Sequence, residues 1–285
     1  MFSPSDTNIF VVPDLHGNIK MLDLLLTEVL PLRNGDKVIF MGDYIDRCID
    51  SHLVIDRLIE IKKKYEACVF LKGNHEYMVL VASGLIKKSQ DSQDGNFRMW
   101  MANGGRETLQ GYLNRNKSVR SLDLVRRGDI KSIIPKEHLQ FMLDTIPLHE
   151  EDEFIFVHGG LNPEPQHIAT IKDNISDYAE LICWDRSLYE TVEADAKDNI
   201  FQKWDKCIVT GHNGSKLLIT DSFMMLDSGS PRELLLVEVN SRRALRAHYP
   251  LETGKTAWET ESNVLIEEIS IKNTVFKAGK IKRVQ

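Results

Sequence analysis

The sequence predicts an α/β fold with a ligand crevice at the tips of its strands, and three observations lead there. Short apolar runs recur along the chain, each stopping at a polar or glycine-containing loop. Helical patterns lie between the early runs. Aspartate, histidine or asparagine follows within three residues after five of the runs, where open α/β sheets place their ligands.

The first run, residues 8–12 ("NIFVV"), meets Pro13 and is followed by Asp14 and His16. Met21, Leu22, Leu25 and Val29 then share a helical face after Asn18, and Pro31 ends that segment. A second run at 37–41 ("KVIFM") leads into "GDYIDR", which supplies Asp43, Asp46 and Arg47. Ser51 is placed to cap a helix carrying Val54, Ile55, Leu58 and Ile59 on one face. A third run at 68–71 ("CVFL") leads into the loop "GNHE", with Asn74, His75 and Glu76. Runs at 154–157 and 207–210 deliver His158 in "HGG" and His212 in "GHN", and a last run lies at 223–226. The runs are apolar at both odd and even positions, as expected of strands buried on both faces.

The stretch from about residue 84 to 136 reads as an insertion. In it "SQDSQDGN" is a polar loop, "FRMWMANGGRETLQGYLNRN" an interrupted helix and "NKSVRSLDLVRRGD" a charged connection. A helix over 135–145 closes it, with Pro135 near its first turn. From about residue 240 the pattern alternates and becomes polar, which predicts extra strands packed on the core. The expected organisation is a catalytic domain over 1–239 and a β-rich extension over 240–285.

At 285 residues, 42% hydrophobic and 27% charged, the composition is that of an ordinary globular protein. A net charge of −6 argues against a protein built to coat nucleic acid or an anionic membrane, so no specific nucleic-acid binding is expected. No run approaches the roughly 18 apolar residues of a membrane span. The first residues lack a basic region followed by a long apolar one, so no signal peptide is expected. Cys48, Cys68, Cys183 and Cys207 are scattered without metal or redox spacing, which predicts reduced thiols and a cytoplasmic protein. No sequence feature bears on oligomeric state.

Each polar residue at a strand tip has a bland role when taken alone. Asp14 could cap the following helix, Asp43 could occupy a turn, and Asn74 could adopt a left-handed turn conformation. His16, His158 and His212 could each be satisfied at a strand end. These roles do not explain why five strand tips carry one kind of ligand set, and convergence on a single site does. The donors are carboxylate oxygen, imidazole nitrogen and amide oxygen without thiolate, a set suited to Mn, Fe or Zn. Six donors exceed what one tetrahedral ion requires. A carboxylate such as Asp43 could bridge two ions roughly 3.5–4 Å apart, an arrangement suited to displacement at phosphorus. Arg47 adds a planar fork for phosphate.

The ordered series "DLHG", "GDYIDR", "GNHE", "HGG" and "GH", from about residue 9 to 237, resembles the calcineurin-like metallophosphoesterases. More narrowly it is similar to the PPP-type serine/threonine protein phosphatases in their bacterial and phage form. "WMANGGRETL" and "WDR" (184–186) also look like family segments. The resemblance implies a β-sandwich of two mixed sheets flanked by helices, with a dinuclear metal site at strand C-terminal ends. It implies one divalent ion held by Asp14, His16 and Asp43 and a second by Asp43, Asn74, His158 and His212, with manganese favoured and iron or zinc compatible. It makes His75 the general acid, oriented by Asp46, and makes Arg47 and Arg186 the phosphate clamp. The implied activity is hydrolysis of phosphomonoesters by a metal-bridging hydroxide, with phosphoserine or phosphothreonine in proteins as substrate. Hydrolysis of diadenosine tetraphosphate, or of another small phosphoester, is the alternative. Where the family usually has glycine, this chain has Pro13 and Cys48, and a thiol at the second position raises the question of oxidation sensitivity. A binding protein that had merely kept the fold would have lost a ligand or the proton donor, and all are present.

Overall fold

The computed structural model describes residues 8–118, 121–161, 166–187, 205–214, 216–220, 222–249, 264–270, 274–277 and 280–283. Two mixed β-sheets face each other with helices outside, as the α/β reading anticipates. The chain opens with β1 (Ile9–Val12), α1 (Ile19–Leu26), β2 (Lys37–Phe40), α2 (Ser51–Lys64), β3 (Cys68–Phe70) and α3 (Asn74–Ala82). Helices α4 (Gln90–Trp100), α5 (Arg106–Arg115), α6 (Ile130–Ile133) and α7 (Lys136–Leu143) follow. Next come β4 (Leu148–Glu150), β5 (Phe154–Val157), α8 (Gln166–Asp173), α9 (Ile175–Trp184), β6 (Cys207–Thr210), β7 (Lys216–Ile219) and β8 (Phe223–Met225). The last strands are β9 (Glu233–Glu238), β10 (Arg243–His248), β11 (Leu265–Ser270), β12 (Thr274–Lys277) and β13 (Lys280–Arg283).

The first sheet runs β11-β10-β9-β1-β2-β3 and the second β13-β12-β7-β8-β6-β5-β4. Strands β1, β2 and β3 are mutually parallel, as are β5, β6 and β8, so each sheet sends parallel carboxyl ends toward one edge. Strand alternation explains why the runs are apolar at every position. Phe10, Val12, Val38, Phe40 and Phe70 pack toward the helices, whereas Val11, Ile39, Met41 and Leu71 meet Phe154, Phe156, Cys207 and Val209 of the other sheet. On the far side Ile155, Val157 and Ile208 pack with Ile171 of α8 and Ile182 of α9.

Some local expectations give way. Residues 89–96, expected as a loop, begin α4, because Ser89 caps it by accepting from the Ser92 N–H and the segment docks on α3. "GNHE" is not a loop either: Asn74 and His75 form the first turn of α3. Asp50 holds the N-cap position of α2 and Ser51 is its first residue. The interruption between α4 and α5 is real, with Asn103 and Gly104 leaving helical geometry inside a wide turn.

Inside the helical layer, Tyr112 of α5 donates to His138 Nδ1 at 2.8 Å, and His138 Nε2 donates to Asp56 Oδ1 at 2.9 Å. This arrangement uses a neutral imidazole. Burial holds the His138 pKa below its usual value, with Asp56 acting the other way. The unfolded chain therefore binds this proton more readily than the folded one, and stability falls as pH drops through about 6.5. The loss of urea midpoint between pH 7.5 and 5.5 is expected to be smaller in His138→Gln than in wild type. An identical loss in both would remove His138 from the account.

Candidate active site

Five strands feed one cluster. Loops after β1 and β2 carry Asp14, His16 and Asp43, the first turn of α3 after β3 carries Asn74, and loops after β5 and β6 carry His158 and His212. The site thus sits astride the edges of both sheets, and all six side chains are at most 8% exposed. The turns that aim them are costly: His16, Asp43, Asp46, Arg47 and His212 have φ between 44° and 79°. Non-glycine residues held there store strain that surrounding structure must offset, and such residues gather at functional sites.

Asp43 lies at the centre. Its Oδ2 is 3.7 Å from both His16 Nε2 and His75 Nε2, and its Oδ1 is 3.2 Å from His158 Nε2. Among the described residues Asp43 belongs to both groups of side chains able to hold a metal ion, one with His16 and His75 and one with His158 and His212, the donor atoms of each within 4.8 Å of one another. Asp14 Oδ2 stands 4.0 Å from His16 Nε2, and its carboxylate accepts the His212 N–H.

The donor set fits cations. His16 points Nδ1 at the Ile45 carbonyl and leaves Nε2 buried without a hydrogen-bond partner. Asn74 Oδ1 lies 3.1 Å from His158 Nε2 and also faces acceptors, His212 Nδ1 at 3.0 Å and the Asp43 oxygens at 3.2 and 3.3 Å. In the bare protein a half-turn of the amide would satisfy them with N–H donors; a cation among them does so with oxygen inward. Without an ion, protons balance the charge of the cluster. Burial and then Asp227 hold the Asp14 carboxyl well above its ordinary value. Burial works against charge on His158, yet Asp43 and Asp14 push its pKa up to about 10. Burial also opposes charge on His75, and Asp43 with Asp46 still push it up to about 9. Burial raises Asp43, but His158 and His75 overcome this and hold it well below the carboxylate range. His16 and His212 stay neutral: burial lowers both, aided by His75 for the first and by His158 for the second, which falls to about 3.

His75 Nδ1 lies 2.5 Å from Asp46 Oδ2. Asp46 is itself fixed from the insertion, because Trp100 Nε1 and Thr108 Oγ1 donate to its Oδ1 at 2.9 and 2.7 Å. The wide turn between Trp100 and Thr108 brings Gly104 (φ 109°) against the Arg47 backbone, where a Cβ would lie 2.5 Å from the Arg47 nitrogen. Arg47 donates through Nη1 to the Ser230 carbonyl at 3.0 Å. Arg186 donates through Nε to His212 Nε2 at 3.1 Å.

Glu76 is a further member that sequence reasoning treats only as part of a motif. Fully buried, it accepts the N–H groups of Asp43 and Tyr44 at 2.8 Å and of Gly73 at 3.1 Å. Its carboxylate is therefore the mould of the Asp43 turn, and burial followed by Asp43 pushes its pKa up to about 7. Gly73 has no room for a side chain, since a Cβ would strike Asp43 Oδ1. Trp100, Thr108 and Ser230 were also not singled out; "WMANGGRETL" was the one sequence signal that pointed to the first two. Cys48 is no redox sensor by acidity: burial, then Asp50 and Glu107, push its thiol up to about 12, which keeps it protonated.

A family model described as calcineurin-like phosphoesterase matches residues 7–248. The chain is 29% identical over 197 residues to the PP2A-like serine/threonine-protein phosphatase PPG1 of Saccharomyces cerevisiae, covering 68% of this chain and 43% of that protein. It is 33% identical over 118 residues to serine/threonine-protein phosphatase 2 of Escherichia coli, covering 41% and 47%. It is 26% identical over 193 residues to the symmetrical bis(5'-nucleosyl)-tetraphosphatase of Nitrosomonas europaea, covering 64% and 58%. The chain spans about half the length of these curated relatives. Its fold is like that of a cold-active protein-tyrosine phosphatase of a psychrophilic Shewanella, with a TM-score of 0.53 at 18% identity over 86% of this chain and 78% of that one. Among the described residues no helix is long and apolar enough to cross a membrane.

Proposed function

Because this chain belongs to the calcineurin-like phosphoesterase family, we propose that it is a metal-dependent phosphatase acting on phosphoserine or phosphothreonine in proteins. The observation that carries this is Asp43, a single buried carboxylate shared by both candidate metal groups. In this reading Asp14, His16 and Asp43 hold one divalent ion, and Asp43, Asn74, His158 and His212 hold the second. Bound there, such ions supply Lewis acidity toward phosphoryl oxygens and a nucleophilic water at neutral pH. Manganese suits the oxygen and imidazole donors, as do iron and zinc, and manganese is our assignment.

The chain's own residues do the remaining work. Asp46 fixes the ring of His75, leaving Nε2 free to hand its proton to the serine or threonine oxygen as the phosphorus–oxygen bond breaks. Arg47 and Arg186 offer planar N–H forks to the phosphate, each tethered by one hydrogen bond that leaves other donors available. Burial of His75 and Asp46 strengthens their interaction by excluding water, whereas Arg47 and Arg186 reach the phosphate from the exposed rim. The four scattered cysteines are free, in keeping with the cytoplasmic placement we propose.

Substrate choice is tested by initial rates with added Mn on a phosphothreonine peptide and on diadenosine tetraphosphate, side by side. The peptide is expected to release phosphate with the higher kcat/KM. Preference for the dinucleotide would sink the protein-phosphatase assignment while leaving the metal chemistry standing.

A further inference from the structure

A groove of about 880 Å³ opens beside the metal cluster, lined by segments 17–20, 47–50, 101–104 and 229–232 together with Arg106, Glu107 and Tyr249. A phosphate occupies a small fraction of that space, so the groove takes what is attached to the phosphate. Its lining joins apolar surface from Ile49, Met101, Pro231 and Tyr249 to four cationic side chains, Lys20, Arg47, Arg106 and Arg232. Arg106 is paired with Asp123, and Arg47 belongs to the clamp. Lys20 and Arg232 are exposed and have no ion-pair partner among the described residues.

The turn carrying Arg232 is bolted to the first metal loop. Ser230 Oγ donates to the Leu15 carbonyl at 2.9 Å, between the ligands Asp14 and His16. Asn18 Nδ2 donates to the Pro231 carbonyl at 2.7 Å, which ties the segment carrying Lys20 to the turn carrying Arg232. Arg47 Nη1 reaches the Ser230 carbonyl, joining the clamp to the same turn. Ser230 and Asn18 are 4% and 6% exposed, so these ties are dry and persistent. The backbone that carries two unpaired cations is therefore anchored to the first metal loop, in a molecule whose net charge is −6. The acidic residues in the lining, Asp50 and Glu107, lie around Cys48 instead.

The geometry points to a second anionic subsite, formed by Lys20 and Arg232, that receives an acidic side chain flanking the phosphorylated residue of the substrate peptide. This rests on the phosphatase reading above and deepens it, by making acidic-flanked phosphopeptides the preferred substrates. The chemistry recognised is an anion beside a phosphate, which the outer phosphates of a polyphosphate would also present.

The test compares kcat/KM for three phosphothreonine peptides with glutamate, alanine or lysine flanks, and for diadenosine tetraphosphate, in wild type and in Lys20→Glu/Arg232→Glu. The readout is the ratio between peptides within each variant. Wild type is expected to favour the glutamate over the lysine peptide by about fivefold to tenfold, the size that two exposed ion pairs supply. That ratio should shrink with added salt and invert in the double variant, and Lys20→Arg/Arg232→Lys should retain it. An equal ratio in wild type and the double variant overturns the subsite. A fall confined to diadenosine tetraphosphate reassigns the anion to a polyphosphate and overturns the peptide assignment. p-Nitrophenyl phosphate turnover by wild type reports the phosphatase reading by itself. Should it be absent, anisotropy of the same labelled peptides on wild type and double variant still decides the subsite.

Discussion

Asp43→Asn is expected to lower kcat on any phosphomonoester by roughly a thousandfold or more, since it removes the one side chain common to both candidate metal groups. The substitution is nearly isosteric. Asparagine can keep the acceptor for the His75 N–H, now at 3.1 Å from Asp43 Oδ1, so the turn above Glu76 survives. What it loses is charge, and with it the balance against His75 and His158, whose Nε2 atoms lie 3.7 and 3.2 Å away. Metal analysis after desalting should show the wild type retaining two ions per chain and the variant one or none. A second readout needs no turnover. Binding that favours the native state adds about 2.7 kcal/mol at a hundredfold excess over Kd, so added Mn should raise the wild-type Tm. The variant should show little of that rise. Two ions retained with activity intact would end the shared-ligand account.

The architecture was legible where hydrophobic patterning alone decides it. Residues 8–12, 37–41, 154–157 and 207–210 are apolar on both parities because one face meets helices and the other meets the second sheet. The segment at 89–96 was not legible, because its polar composition says loop and only docking against α3 makes it helical. Strand β9, "ELLLVE", was passed over although it is the strand that pairs antiparallel with β1 and carries the first sheet onward to β10. Periodicity cannot separate a short apolar strand from a buried helical turn.

For the site, the sequence showed which residue types end the strands but not what holds them. Asp14, His16, Asp43, Asn74, His158 and His212 do converge, and His75, Asp46, Arg47 and Arg186 stand next to them. Their roles rest on chemistry argued from that geometry. The supports were invisible because they act through backbone groups or across long separations. Glu76 works on N–H groups about 30 residues earlier, and Trp100 and Thr108 reach Asp46 across 54 and 62 residues.

His75→Asn carries the second large effect and separates proton transfer from ligation. His16, Asp43 and His75 together could hold an ion, so geometry alone leaves His75 two possible tasks. The bond from Nδ1 to Asp46, backed by Trp100 and Thr108, suits either, because a carboxylate partner orients a general acid and a metal-bound imidazole alike. If His75 is the acid, kcat on a phosphothreonine peptide should fall about 10²- to 10⁴-fold with KM nearly unchanged and both metal ions retained. The loss should be much smaller on p-nitrophenyl phosphate, whose leaving group departs without a proton. Asp46→Asn should show the same pattern in weaker form, since the ring stays but its orientation loosens. Parallel loss of metal and turnover, equal on both substrates, would instead make His75 a ligand and displace Asp14 from that task. The leaving-group comparison is the decisive part, because a ligand lost from the cluster weakens attack on every phosphoester, whereas a lost proton donor penalises only the substrates that need one.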